Sequence, residues 1–107
     1  MGYVYELLEV NTSDKYQDVI GIFTGDCLEE LKEAVENNVA DLNEGVHDYI
    51  FIKKVRLNNL YPVPEELYIY KYSGKDSYKL CGVYTGKLEI CKAESDVLGI
   101  NNHSYQG

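Results

Sequence analysis

The sequence predicts an α+β fold: an antiparallel sheet of about five strands, in the order ββαβ followed by a second β-hairpin, packed on one main amphipathic helix. Three observations carry this. Short runs rich in Val, Ile, Tyr and Phe alternate with clusters of turn-forming residues, the composition of half-buried strands. One longer run, from about residue 26 to 42, instead sets Leu28, Leu31, Val35, Val39 and Leu42 at helical intervals. The 107 residues suit one core. A chain of this size buries roughly two-thirds of its unfolded surface, so a single domain over residues 1–100 is expected, with 101–107 a fraying tail.

Tyr3 to Val10 is dense in strand formers with imperfect alternation, Asn11-Thr12-Ser13-Asp14 supplies turn chemistry, and Val19 to Phe23 completes a hairpin. Asp26 stands three residues before Glu29, the spacing of a capping box, and Gly45 is a stop signal beyond the helix. Tyr49 to Leu57 is a third strand whose phase slips. Ile50 and Ile52 share one face and Val55 and Leu57 the other, so a bulge near Lys53-Lys54 is expected to bring both pairs to one core. Asn58 to Pro64 reads as a rigid connector, because proline cannot donate to a strand ladder. Leu67–Tyr72 and Tyr78–Thr85 then flank the turn Ser73-Gly74-Lys75-Asp76.

Residues 87–98 admit two readings. Leu88, Cys91, Ser95 and Leu98 fall at helical spacing, whereas Leu88-Glu89-Ile90 alternates like a strand; the balance leans to a short C-terminal helix. A pair of matching segments bears on this. Asp14-Lys15-Tyr16 leads to Gly21-Ile22-Phe23-Thr24-Gly25, and Asp76-Ser77-Tyr78 leads to Gly82-Val83-Tyr84-Thr85-Gly86. A repeated hairpin unit accounts for the match, as does hairpin chemistry reached twice; repetition requires a helix after Gly86, as there is one after Gly25.

Hydrophobic residues are 45% of the chain and charged ones 26%, ordinary values for a folded domain. Met1 to Glu6 is no basic leader and no apolar stretch approaches the roughly 20 residues of a membrane span. A cytoplasmic protein without a membrane partner is the expectation. Cys27, Cys81 and Cys91 are odd in number and lack CxxC spacing, which argues against a disulfide framework.

The net charge of −8 is unevenly placed. Residues 26–48 hold eight acids against Lys32, while 49–107 carry a slight positive excess. Within the helix Glu29, Glu33 and Glu36 form a stripe opposite the apolar one, flanked by Glu30, Asn37 and Asp41. Solvation explains most such faces. Here, however, like charges repel at four-residue spacing, and Asp41, Glu44 and Asp48 gather where the helix dipole disfavours anions. A surface that keeps unfavourable charges is a candidate for a basic partner, its carboxylates standing where phosphates would. Glu29, Glu33, Glu36, Asp41 and Glu44 are the candidate partner-binding residues. No EF-hand spacing or zinc pattern occurs, so neither a metal nor a cofactor is expected.

Eleven Tyr, two Phe and no Trp make an unusual aromatic balance, and Tyr68, Tyr70 and Tyr72 alternate onto one strand face. They suit a half-buried sheet face or an alternative interface, for a small ligand or a second copy in a homodimer. Stacking of single-stranded bases, helped by Lys53, Lys54, Arg56 and Lys71, is opposed by the overall acidity and the lack of a ribonucleoprotein-type motif, so no direct nucleic-acid binding is expected. His47 lies between Val46 and Asp48, His103 is in the tail, and Cys27 is near the helix start; none has a visible catalytic companion. GxGxxG, P-loop, GxSxG and HExxH patterns are missing, and a non-enzymatic role follows as the expectation.

Tyr3-Val4-Tyr5-Glu6-Leu7-Leu8-Glu9, Val19-Ile20-Gly21-Ile22-Phe23-Thr24-Gly25, the Glu-rich helix and Tyr49-Ile50-Phe51-Ile52 together resemble small ββαβ domains of phages and bacteria. The resemblance covers about the first sixty residues, brings no site residues with it, and stops at the Pro-bounded second hairpin. In size, acidity and lack of catalytic motifs the chain is also similar to phage inhibitors of bacterial defence, anti-CRISPR proteins among them. That similarity implies an acidic binding protein that inhibits a nucleic-acid-handling machine, in the cytoplasm of a bacterial host.

Overall fold

The computed structural model describes residues 2–37, 48–58, 60, 63–74 and 77–99. Within them run β1 (Tyr3–Asn11), β2 (Tyr16–Thr24), α1 (Leu28–Asn37), β3 (Tyr49–Arg56), β4 (Pro64–Gly74), β5 (Ser77–Tyr84) and α2 (Lys87–Leu98). The strands form one sheet in the order β2-β1-β3-β4-β5, with every neighbouring pair antiparallel. The predicted α+β architecture is the one adopted, and the ambiguous segment 87–98 is a helix. Gly86 opens α2 in an extended conformation and its carbonyl accepts from Ile90 N–H at 2.8 Å. Gly99 closes it at φ 72°, a left-handed cap that suits glycine.

Successive side chains point to opposite faces of a strand, and here both faces are covered. Leu31 and Val35 of α1 bury Leu7, Ile50 and Ile52 on one side. Ile90, Ala93 and Leu98 of α2 bury Leu8, Val10, Phe51, Leu67 and Ile69 on the other. Each fully buried aliphatic or aromatic side chain adds about 1.5–3 kcal/mol by leaving water, so the consecutive apolar residues Leu7-Leu8 and Ile50-Phe51-Ile52 all serve the fold.

This corrects the reading of the third strand. Two cores remove the need for a bulge at Lys53-Lys54, and β3 pairs with β1 without interruption from Tyr49 to Arg56. The irregularity falls on β4 instead: Lys54 faces Glu66 and Val55 faces Pro64, so Glu65 is the extra residue. Residues 58–64 are also not wholly a connector, since Pro64 is the first residue of β4, a position where its missing N–H is tolerated.

Helix α1 begins at Leu28, two residues after its expected start. The Asp26 carboxylate accepts from the Thr24 hydroxyl at 2.7 Å, while Cys27 N–H donates to Thr24 O and Cys27 O accepts from Leu31 N–H. Cys27 thus stands at the cap. Asp48 is held by the end of β1: both Thr12 N–H and the Thr12 hydroxyl donate to its carboxylate, and its own N–H donates to Val10 O. The expected stretch of helix to residue 42, its stop at Gly45, Asp41, Glu44, both histidines and the tail 101–107 lie outside the described residues.

The matched segments occupy matched places. β1 and β4 flank the central β3, β2 and β5 are the outer strands, and a half-turn about β3 exchanges the two hairpins and the two faces. The same irregularity marks both hairpins. Leu7 faces Gly21 and Leu8 faces Val19, leaving Ile20 extra; Ile69 faces Gly82 and Tyr70 faces Leu80, leaving Cys81 extra. Beside each bulge the glycine makes room for a ring two residues on. A Cβ at Gly21 would lie 2.7 Å from Phe23, and one at Gly82 would lie 2.9 Å from Tyr84.

Candidate functional site

Leu31 and Val35 turn one side of α1 to the sheet, which forces Glu29, Glu30, Glu33 and Glu36 outward, where all four are exposed. None of them joins an ion pair among the described residues. Lys32, also exposed, is the cation among them, and together they border a surface hollow of about 430 Å³.

Each helix lies toward its own hairpin and reaches the central strand. α1 leans on β1 and β2, and α2 on β4 and β5. On the α1 side this leaves the β4–β5 half to tyrosines: Tyr68, Tyr70 and Tyr78 are half-buried at the edge of the core. Between them and the helix lies a cleft of about 300 Å³, walled by Leu28, Leu31, Val35 and Ile52, with Tyr70 and Tyr78 opposite and Lys32 and Glu36 at its rim. The rings of Tyr70 and Tyr78 meet edge to face, their centroids 5.6 Å apart.

The acidic helix and the tyrosine face, two separate candidates in the sequence, therefore meet along one cleft, and Glu36 belongs to both. Electrostatics registers the contact. Burial pushes the Tyr78 hydroxyl up to about 12, aided by the negative charges of Glu36 and Tyr70. Tyr68 is likewise pushed up to about 12, by burial first and then by Glu66, whose carboxylate accepts the Tyr68 hydroxyl at 3.1 Å. Tyr72 lies in β4 opposite Tyr78, and its side chain is outside the described residues, as are Asp41 and Glu44. Tyr78, Lys32 and Leu28 were missed by sequence reasoning. No signal within β5 alone shows the place of Tyr78, because the bulge at Cys81 sends Tyr78 and Tyr84 to opposite faces and only the pairing with β4 sets Tyr78 beside Tyr70.

The cations near the tyrosines are engaged. Lys53 pairs with Glu94 of α2, Lys54 lies 3.6 Å from Glu66 and 4.5 Å above the Tyr3 ring, and Arg56 pairs with Glu65. Lys71 sits 6.0 Å from the Tyr49 ring, which packs on the α2 side. Among the described residues, no basic track follows the tyrosine ladder. Cys27, Cys81 and Cys91 are free thiols. Among the described residues there is no cluster of three metal-ligating side chains, and no helix is long and apolar enough to cross a membrane. Comparison with models of protein families, with curated proteins and with solved structures finds no match.

Proposed function

We propose that this chain is a non-enzymatic acidic binding protein whose α1 face engages a basic, nucleic-acid-binding protein surface. One observation carries the reading: four exposed glutamates stand on a single short helix without an ion-pair partner among the described residues. Like charges three and four residues apart cost stability, so their retention is accounted for by a partner that supplies the opposite charge. Carboxylates spaced along a helix present such a partner with a substitute for phosphates, and affinity then depends steeply on salt. An inhibitor of a nucleic-acid-handling machine acts in this way, and a phage-encoded anti-defence protein of the anti-CRISPR kind, working in the host cytoplasm, is the form consistent with the sequence resemblance.

The test is capture from a bacterial lysate on the immobilised chain. The expected partner is released by raised salt and by added double-stranded DNA, and is not captured when Glu29, Glu33 and Glu36 are all changed to Gln. A partner held equally by wild type and triple variant, at any salt, sinks the proposal. A second reading uses the tyrosine side of the cleft for a small ligand or self-association, favoured by the edge-to-face Tyr70–Tyr78 pair beside apolar walls. It predicts association that tolerates salt.

A further inference from the structure

We propose that the cleft between α1 and the β4–β5 hairpin seats an arginine side chain of the basic partner, its stem against Val35 and Ile52, its guanidinium on Tyr78 and its counter-charge at Glu36. This rests on the reading of α1 as a docking face and supplies that face with an anchor. At about 300 Å³ the cleft stands at the low end of ligand sites, which run from about 300 Å³ upward, a scale that fits one long side chain better than a helix. Its lining meets three needs at once.

Aliphatic walls from Leu31, Val35 and Ile52 receive a methylene stem that carries its charge at the tip. Tyr70 and Tyr78 offer ring faces and edges to a planar cation, and tyrosine–guanidinium contact strengthens as water is excluded. Glu36 supplies a carboxylate at the rim, which a guanidinium fork can meet with two parallel hydrogen bonds.

Other occupants satisfy fewer of these. Lysine brings a compact, strongly hydrated charge that gains less from a ring and cannot bridge a carboxylate in the same way. A leucine or phenylalanine anchor would strip water from Glu36 and leave it without a counter-charge. A nucleotide would set its phosphate beside Glu29, Glu33 and Glu36. Lys32 is the one opposing group at the rim, and it is exposed on a flexible stem amid four carboxylates.

The experiment titrates the isotopically labelled full chain with nona-arginine and with nona-lysine, following affinity and the ring resonances of Tyr70 and Tyr78. The expected result is binding of nona-arginine at least about tenfold tighter at equal ionic strength, the order of one well-made charged contact, with both rings shifted. Tyr78→Leu removes the preference and leaves nona-lysine binding unchanged, Tyr78→Phe retains it, and Lys32→Gln strengthens both peptides. Equal affinities without ring shifts, or a preference that survives Tyr78→Leu in a chain of unaltered circular dichroism, overturn the arginine anchor and leave the acidic face standing. Absence of salt-sensitive binding by either peptide overturns both.

Discussion

The two hairpin–helix units share one backbone plan and place different chemistry on it. Counted from their first residues, α1 and α2 align Leu31 with Ile90 and Ala34 with Ala93, so two of the core-facing positions agree. The outer positions do not. Glu33 stands where α2 has Lys92, and even on the buried side Val35 stands where α2 has Glu94, which is paired with Lys53 on the central strand. In α2 the charges mix in sign, Lys87 and Lys92 with Glu89, Glu94 and Asp96, as in a helix whose surface serves solubility and local pairing. In α1 four glutamates stand against Lys32 alone, and Glu36 and Lys32 border a cleft. Because the scaffold is the same, the fold alone does not require the difference, and the proposed docking role of α1 accounts for it.

The comparison can be broken first in the cores. Ile90 is almost fully buried and walled on all sides, whereas Leu31 borders the cleft, so Ile90→Ala should cost about 3–4 kcal/mol and Leu31→Ala about 2–3, read from urea denaturation. Equal costs would mean that the cleft does not relax α1 packing. Next come the matched glycines. Gly21→Ala and Gly82→Ala each push a Cβ against a ring, with an expected loss of about 1–2 kcal/mol apiece; an effect at only one of them would limit the correspondence to topology.

Much of the architecture was legible before any coordinates, and the failures have a common origin. Strand and helix periods identified the elements, and the twin Gly-aromatic-Thr-Gly segments pointed to the helix after Gly86. What misled was the assumption of one core. Ile50 and Val55 look out of phase only if a single face is buried, and no local pattern reveals that a second helix covers the other. The site was half visible for a similar reason. Composition exposed Glu29, Glu33 and Glu36 and the ladder Tyr68, Tyr70 and Tyr72, but the meeting of Glu36 and Tyr70 at one cleft depends on the register that sets Tyr78 beside Tyr70 and on α1 lying toward β1 and β2.

Alkaline pH sharpens the contrast between the faces. The hydroxyls of Tyr68 and Tyr78, raised from 10.0 to about 12, lie on the α1 side. The fold favours their protonated forms, so this contribution is fully present below about pH 10 and is lost as pH rises through about 12. The denaturation midpoint should fall across that window, and a Tyr68→Phe, Tyr78→Phe double variant should fall less. An unchanged decline would assign alkaline sensitivity elsewhere. The smallest effect is the most diagnostic. Glu33→Gln relieves repulsion from Glu29 and should raise stability by about 0.2–0.5 kcal/mol at low salt, while Lys92→Gln in α2, beside Glu89 and Asp96, should lower it by a similar amount. If both changes lower stability, the α1 charges serve the fold after all.

The paired bulges at Ile20 and Cys81 carry a consequence for how the molecule lives at high concentration. Both outer strands end the sheet among the described residues, and they expose Val19 at 54%, Ile22 at 63%, and Leu80 and Val83 at 44% each. Straight strands of that composition would template one another into ribbons without end. A kink in the middle of each breaks the hydrogen-bonding register that an incoming strand must match. Polymerisation is thereby discouraged at both ends of the sheet, and so is capture of a foreign strand. The faces left to the proposed partner are those of the helices, where the charge and the cleft are.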